Sequence, residues 1–148
     1  MATAMGWHDH RRAFAHYAMG RVLQSNEPTA AHQQYLLADR YYAQTPDTGL
    51  HRAYVATQLS AYAISKGDGA QALHLIQPHI STAFANENAA LLSTLLLLRS
   101  EALELENRHA EARSVRLDSI GWARYGFGSD WAVRAKLREI ASLNPLKG

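Results

Sequence analysis

The sequence predicts an all-α protein built from helical hairpins that repeat along the chain. Strand signals are nearly absent, because Val and Ile are few and no clear alternation of apolar and polar residues occurs. Apolar residues recur instead at helical spacing. Three alanines, Ala31, Ala72 and Ala112, each follow a turn-forming residue by five positions, at intervals of 41 and 40 residues. Such self-similarity at a fixed period is typical of repeat architectures.

Six predicted helices pair into three hairpins, at about residues 8–45, 47–82 and 87–124. Gly67 is expected to close its helix in the left-handed conformation, which glycine enters without a side-chain clash. The fourth helix is expected to end near Ile80, with Pro78 kinking it. The fifth helix is apolar around much of its circumference, which predicts a central position in the fold.

A seventh helix is predicted at about residues 129–143, after the glycine-containing break at 125–128. Ser129 or Asp130 is a good N-cap for this helix. One face is apolar and is expected to cover the last hairpin, since the ends of a helical array need a cap. That face consists of Val133, Leu137, Ile140 and Ala141. We therefore expect residues 1–148 to form a single domain of three helical hairpins plus a capping helix.

The composition excludes several classes of function. The chain has 148 residues, enough for one domain with a buried core. It contains no cysteine, which excludes disulfides, thiolate-ligated zinc and thiol catalysis, and leaves a bacterial cytoplasm and a periplasm equally open. The net charge is +2, and residues 108–148 carry eight Lys or Arg against four Asp or Glu. The longest apolar run, at 89–98, is too short to span a bilayer.

No catalytic or metal-binding pattern stands out. Among the eight histidines no pair is four residues apart, and the HExxH motif is absent. His8 and His10 point to different helix faces, so an N-terminal metal site has weak support. The sequence contains no nucleophile-elbow serine and no glycine-rich loop between a strand and a helix. We therefore predict a protein that is not an enzyme and that binds neither a metal nor a cofactor.

The turn-and-alanine pattern is clearest at Gly67 and Ala72, in YAISKGDGAQALHLI, and next at Asn107 and Ala112, in EALELENRHAEARSV. It resembles the tetratricopeptide repeat (TPR) superfamily over about residues 8–124. The period is near 40 residues instead of about 34, similar to repeats in the sensor regions of large bacterial transcription activators. The resemblance implies a right-handed superhelix. A HEAT-like or unclassified helical array is the alternative.

The TPR resemblance also implies a concave groove, lined by the first helix of each hairpin, that binds peptide segments. Register along the helices predicts which side chains would bind a protein or peptide partner there. They are His16, Gly20 and Gln24 from the first helix, Tyr54, Thr57, Ala61 and Ser65 from the third, and Thr94, Leu97, Glu101 and Glu104 from the fifth. The two acids favour a partner with a basic or neutral face.

A second candidate surface is a basic rim at the C-terminal end. Trp131, Arg134 and Arg138 stand at spacings of three and four residues on the predicted seventh helix, and Arg124 lies at the end of the sixth. Tryptophan and arginine together can hold a partner by stacking and bidentate hydrogen bonds. The alternative is that Trp131 packs inward and the arginines form a solvated face.

The resulting prediction is a protein–protein interaction or scaffold module. Self-association is a further use, because Trp7, Phe14 and Tyr17 lie at the N-terminal end of the array. A nucleic-acid-associated or regulatory module would use the basic C-terminal segment, and a small-molecule sensor would use the tyrosines as a pocket lining. Both remain alternatives, with nucleic acid the less favoured partner.

Overall fold

A computed structural model describes residues 4–127 and position 138, and in that part of the chain it contains helices and no strand. Connections of three to five residues link six helices, which are α1 (Ala4–Leu23), α2 (Pro28–Ala43), α3 (Gly49–Ser65), α4 (Gly69–Ala85), α5 (Ala89–Leu105) and α6 (His109–Phe127). The all-α prediction is confirmed. The expected count of seven differs from these six, because the predicted helix at 129–143 lies outside the described residues except for Arg138, which is helical and exposed.

The turns reveal a shorter period than the alanines do. One residue in each of four successive turns has a positive φ, and these residues are spaced by 20 positions. They are Asp47 (61°), Gly67 (78°), Glu87 (53°) and Asn107 (62°). The left-handed role predicted for Gly67 is thus confirmed. The period near 40 residues consists of two 20-residue helix-and-turn units.

The last three of these turns share one hydrogen-bonding pattern. The amide after the left-handed residue donates to the carbonyl five positions earlier, which satisfies a carbonyl at the helix end. The pairs are Asp68 with Ala63 (2.9 Å), Asn88 with Ala83 (3.0 Å) and Arg108 with Leu103 (2.9 Å). The turn between α1 and α2 lacks this arrangement: α2 begins at Pro28 after Glu27, which makes no side-chain capping bond.

The packing order follows the chain. Each helix packs against its neighbours in sequence, and α3 also packs against α5. The pairs α1–α2, α3–α4 and α5–α6 correspond to the predicted hairpins. Ala31, Ala72 and Ala112 are all 2% exposed or less, as expected of small residues at close helix crossings. Most of α5 is buried, so its predicted central position is confirmed.

The core consists of two clusters of different chemistry. The first, which we call the aliphatic cluster, joins α3 to α6 through leucine, isoleucine and alanine side chains, among them Ile64, Ile76, Leu91, Leu95 and Leu98. The second, the aromatic cluster, joins α1, α2 and α3 around tyrosine rings, with Ala13, Tyr35, Ala38, Tyr42, Val55 and Leu59 buried in it. Both clusters include residues of α3, which therefore lies at their boundary.

Two local predictions were wrong. Helix α4 does not end near Ile80 but continues through Pro78 to Ala85. Pro78 has no amide hydrogen and cannot bond the carbonyl of His74. Both residues are exposed, so water can reach that carbonyl. Gly20, expected in the groove, is buried against α2 instead. A Cβ atom on Gly20 would lie 2.6 Å from Cε1 of Tyr35, so the missing side chain lets α1 and α2 approach.

Candidate functional site

Two neighbouring cavities open along one face of α3. The first, of about 500 Å³, lies between α1, α3 and α5 and is lined by Tyr17, Arg21, Tyr54, Thr57, Gln58, Ala90, Leu91 and Thr94. The second, of about 320 Å³, lies between α3, α2 and the end of α1 and is lined by Gln24, Pro28, Ala31, His32, Tyr35, Gln58, Ala61, Tyr62, Ser65 and Lys66. Gln58 lines both cavities. We call the combined surface the central groove.

Helix α3 provides the floor of the central groove. Tyr54, Gln58, Tyr62 and Lys66 follow one another at spacings of four residues, which places them along one helix face. Tyr54 is 41% exposed, and its hydroxyl accepts a hydrogen bond from Nδ2 of Asn88 at 2.9 Å. Oδ1 of Asn88 also accepts the amide of Leu91 at the start of α5. The position of the Tyr54 ring is therefore tied to the turn between α4 and α5.

The second cavity holds a stack of an imidazole and a phenol ring. The ring of His32 on α2 lies 3.9 Å from that of Tyr62, centroid to centroid, with only 11° between the planes. Nζ of Lys66 lies 5.3 Å from the same tyrosine ring, within cation–π range. Nδ1 of His32 is buried and makes no hydrogen bond in the described structure. Burial also lowers the pKa of His32, which favours the neutral imidazole.

A tyrosine–glutamine hydrogen bond closes the other side of the second cavity. The hydroxyl of Tyr35 donates to Oε1 of Gln24 at 2.7 Å. Burial raises the pKa of Tyr35 to about 12, so its hydroxyl remains a protonated donor near neutral pH. With its oxygen occupied, Gln24 retains amide hydrogens that can donate to a bound molecule.

The charge of the central groove is positive. Arg21 and Lys66 are the charged residues that line the two cavities, and no carboxylate is among their lining residues. The uncharged polar groups that accompany them include Thr57, Gln58 and Thr94. An arginine, a lysine and several amide and hydroxyl groups together suit a partner that carries carboxylates and hydrogen-bonding groups.

The two acids predicted for the groove face another helix. Glu101 is 6% exposed, and its Oε1 lies 3.4 Å from Nη2 of Arg116 on α6. Oε2 of Glu104 lies 2.7 Å from Nδ1 of His109, also on α6. Their α5 register alone suggested groove positions, but a buried carboxylate needs a nearby cation or donor. The expectation of an acidic groove that suits a basic peptide is therefore corrected.

The other predicted residues are divided between the groove and other surfaces. The central groove is lined by Gln24, Tyr54, Thr57, Ala61, Ser65 and Thr94, all predicted there by register. His16 faces α2 instead, where its ring stacks on Tyr41 and its Nδ1 lies 2.7 Å from Oε1 of Gln34. At the predicted basic rim, Arg124 and Arg138 are exposed. Trp131 and Arg134 lie outside the described residues.

Sequence reasoning did not assign Arg21, His32, Gln58, Tyr62 or Lys66 to the groove. Gln58 and Tyr62 carried a usable signal, since they follow Tyr54 by four and eight residues, on the same helix face. Arg21 and His32 carried none. They reach the groove because α1 and α2 are placed beside α3, and that placement is a tertiary feature.

Neither a metal site nor a membrane-spanning helix is found in the described part of the chain. Within it, no three His, Asp or Glu residues converge closely enough to hold a metal ion. None of its helices combines the length and the apolar character needed to cross a bilayer.

Comparison of the chain with protein-family models, with curated proteins and with solved structures found no match.

Proposed function

We propose that this protein is a non-catalytic TPR-like interaction module, a right-handed helical array whose central groove binds an extended peptide segment with acidic side chains. The turn-and-alanine pattern and the packing of α3 against α5 support the array. One observation carries the binding proposal. Four helices, α1, α2, α3 and α5, bring polar and aromatic side chains to a single groove, and its charged residues are cationic.

The dimensions of the groove indicate the length of its partner. From Tyr54 to Lys66 the floor covers 12 residue steps, or about 18 Å at the helical rise. An extended strand advances about 3.3 Å per residue, so about five or six peptide residues fit along this floor. The exposed ring of Tyr54, at one end of this floor, would act as a main contact, because aromatic residues often contribute most of the binding energy at such surfaces.

The proposal can be tested with two matched libraries of labelled, end-blocked hexapeptides. One carries Asp or Glu at a fixed position, and the other carries Lys or Arg there. We expect fluorescence anisotropy to show binding of the acidic library at low salt. The charge reversals Arg21→Glu and Lys66→Glu, made together, should weaken that binding by at least about tenfold. Tyr54→Ala should also weaken the binding of the acidic library, because it removes the exposed ring.

Arg113→Glu is the matched control, because Arg113 is exposed on α6 and lines neither cavity. It changes the net charge by the same amount per site and should leave peptide binding within about twofold. Equal binding of the two libraries, or an equal loss from Arg113→Glu, would contradict the proposed site. Circular dichroism of each variant would establish that the helices are retained.

The basic C-terminal rim remains a prediction of the sequence. Arg124 and Arg138 are exposed, as a rim contact would require. If the rim and not the groove held the partner, Arg124→Glu with Arg138→Glu would abolish binding and the groove variants would not. A steep dependence of nucleic-acid binding on salt would instead support the regulatory alternative.

A further inference from the structure

Helix α1 has apolar side chains on two opposite faces. Its inner face packs on α2 with Ala13 and Gly20 buried. Its outer face carries large apolar side chains that are exposed, namely Trp7 (58%), Phe14 (59%), Met19 (49%) and Val22 (75%). Such an apolar stripe from Trp7 to Val22, interrupted at Arg11, is more than the scattered surface apolar residues that are normal in proteins. The stripe therefore indicates an interaction surface.

The outer face of α1 is self-complementary. Six positions along the middle of this face pair about a midpoint between residues 14 and 15 when the helix is reversed, whereas Met19 lies at its edge. The pairs are Trp7 with Val22, Arg11 with Ala18, and Phe14 with Ala15. In each pair a large side chain meets a smaller one. Two copies of α1 that cross antiparallel about a two-fold axis at this midpoint would therefore interdigitate along about 24 Å.

We propose that the outer face of α1 binds the same face of a second copy of this chain, to form an antiparallel, two-fold symmetric dimer. Such an interface is isologous, so one surface serves both subunits. This register keeps the like charges of the two Arg11 side chains apart. Arg11 lies opposite Ala18 of the second copy, and the two Arg11 residues stand about 10 Å apart along the axis. The proposal is independent of the central groove.

The pairing of large with smaller side chains about one midpoint favours a second copy of α1 over an unrelated partner, because a second copy repeats the same spacing. A contact between two single helices is smaller than a standard protein interface of about 800 Å² per partner. We therefore expect a weak dimer that dissociates at low micromolar concentration.

Cysteine cross-linking tests the register directly, because the chain has no cysteine of its own. In the proposed dimer the two copies of residue 15 are about 1.5 Å apart along the axis, and those of residue 18 about 10 Å. A disulfide needs Cα atoms within about 7 Å. Mild oxidation should therefore cross-link Ala15→Cys but not Ala18→Cys. Trp7→Cys and Val22→Cys should cross-link when mixed, and neither should do so alone.

Sedimentation equilibrium tests the dimer without any cross-link. The unmodified chain should show a monomer–dimer equilibrium, and Phe14→Glu or Val22→Glu should weaken it by at least about tenfold. Leu117→Glu is the control, since Leu117 is 64% exposed on α6 and should not affect dimerisation. A chain that stays monomeric at submillimolar concentration would overturn the proposal. So would cross-linking of Ala18→Cys as efficient as that of Ala15→Cys, or a dimer that only Leu117→Glu disrupts.

Discussion

The α1–α2 hairpin and the α3–α6 segment are held together in different ways. The turns inside α3–α6 repeat one hydrogen-bonding pattern every 20 residues, and leucine and alanine side chains fill the core between its helices. The turn inside the α1–α2 hairpin lacks that pattern, and its core is built on tyrosine rings. In the α1–α2 hairpin, hydrogen bonds such as Tyr35 to Gln24 and ring stacks such as His16 on Tyr41 take the place of the aliphatic packing seen in α3–α6.

This difference separates the roles of the two regions. Aliphatic side chains pack together without a preferred orientation. The same turn can therefore be repeated while the core between the helices keeps its aliphatic character. Aromatic and hydrogen-bonded contacts demand defined geometry, which makes the α1–α2 hairpin irregular. The same hairpin contributes Arg21, Gln24 and His32 to the central groove and carries the outer stripe of α1. Both proposed binding surfaces therefore involve the irregular region.

The largest expected effect is in the aliphatic cluster. Leu95 is fully buried in the middle of α5, and Leu95→Ala would remove its packing and leave a cavity. We expect this change to lower the free energy of unfolding by about 2–5 kcal/mol. Chemical denaturation monitored by circular dichroism measures it. Leu117→Ala, at an exposed position of α6, should stay within about 0.5 kcal/mol of the parent. Similar losses for the two variants would contradict the assigned core.

An intermediate effect is expected where α1 crosses α2. Gly20→Ala places a methyl group 2.6 Å from Cε1 of Tyr35, whose ring is buried and hydrogen-bonded. We expect a loss of about 1–3 kcal/mol despite the better helix propensity of alanine. Gly121→Ala is the matched control, because nothing lies within 4 Å of a Cβ atom there, and it should stabilise α6 by about 0.5–1 kcal/mol. A stabilising Gly20→Ala would show that this crossing is looser than the structure indicates.

The smallest expected effect is a dependence of stability on pH. Burial lowers the pKa of His32 and of His51, with His10 adding to the shift at His51. Burial, followed by the charge of Arg52, also lowers the pKa of His79. Asp39 acts in the opposite direction on His79. A histidine whose pKa is lower when folded favours the unfolded chain once the pH falls below the unfolded value of 6.5.

We therefore expect the melting temperature to fall as the pH drops from 7.5 to 5.5. Hydrogen exchange should show α2 and α3, which carry His32 and His51, opening before α5 does. His32→Gln should reduce the sensitivity to acid, whereas His74→Gln, at an exposed position on α4, should not change it. Loss of protection in α5 first would contradict the contrast between the two regions.

Much of the fold was predictable because it depends on local rules. Gly67 ends its helix for reasons of backbone sterics, and the buried alanines mark helix crossings wherever the chain places them. The 20-residue spacing was missed because Glu87 adopts the left-handed backbone although its residue type does not favour it, so the recognised turns at Gly67 and Asn107 stood 40 residues apart. The run of α4 through Pro78 was missed because it depends on exposure to solvent.

The candidate site was less predictable. Tyr54 and Thr57 were placed by helical register alone, and the structure puts both in the groove. Glu101 and Glu104 obey the same register on α5, yet α6 supplies cationic or hydrogen-bonding partners that turn them away. Register specifies the direction of a side chain from its own helix. It does not specify which neighbouring helix covers that direction.

The sequence by itself determined the helices, most of their ends, the absence of thiol chemistry and the apolar character of α5. These properties follow from spacing, capping and composition, which act over a few residues at a time. Only the tertiary structure decided the sign of charge in the groove, the burial of Gly20 against Tyr35 and the exposure of the outer face of α1. Each of these depends on contacts between residues far apart in the chain, and no local pattern encodes them.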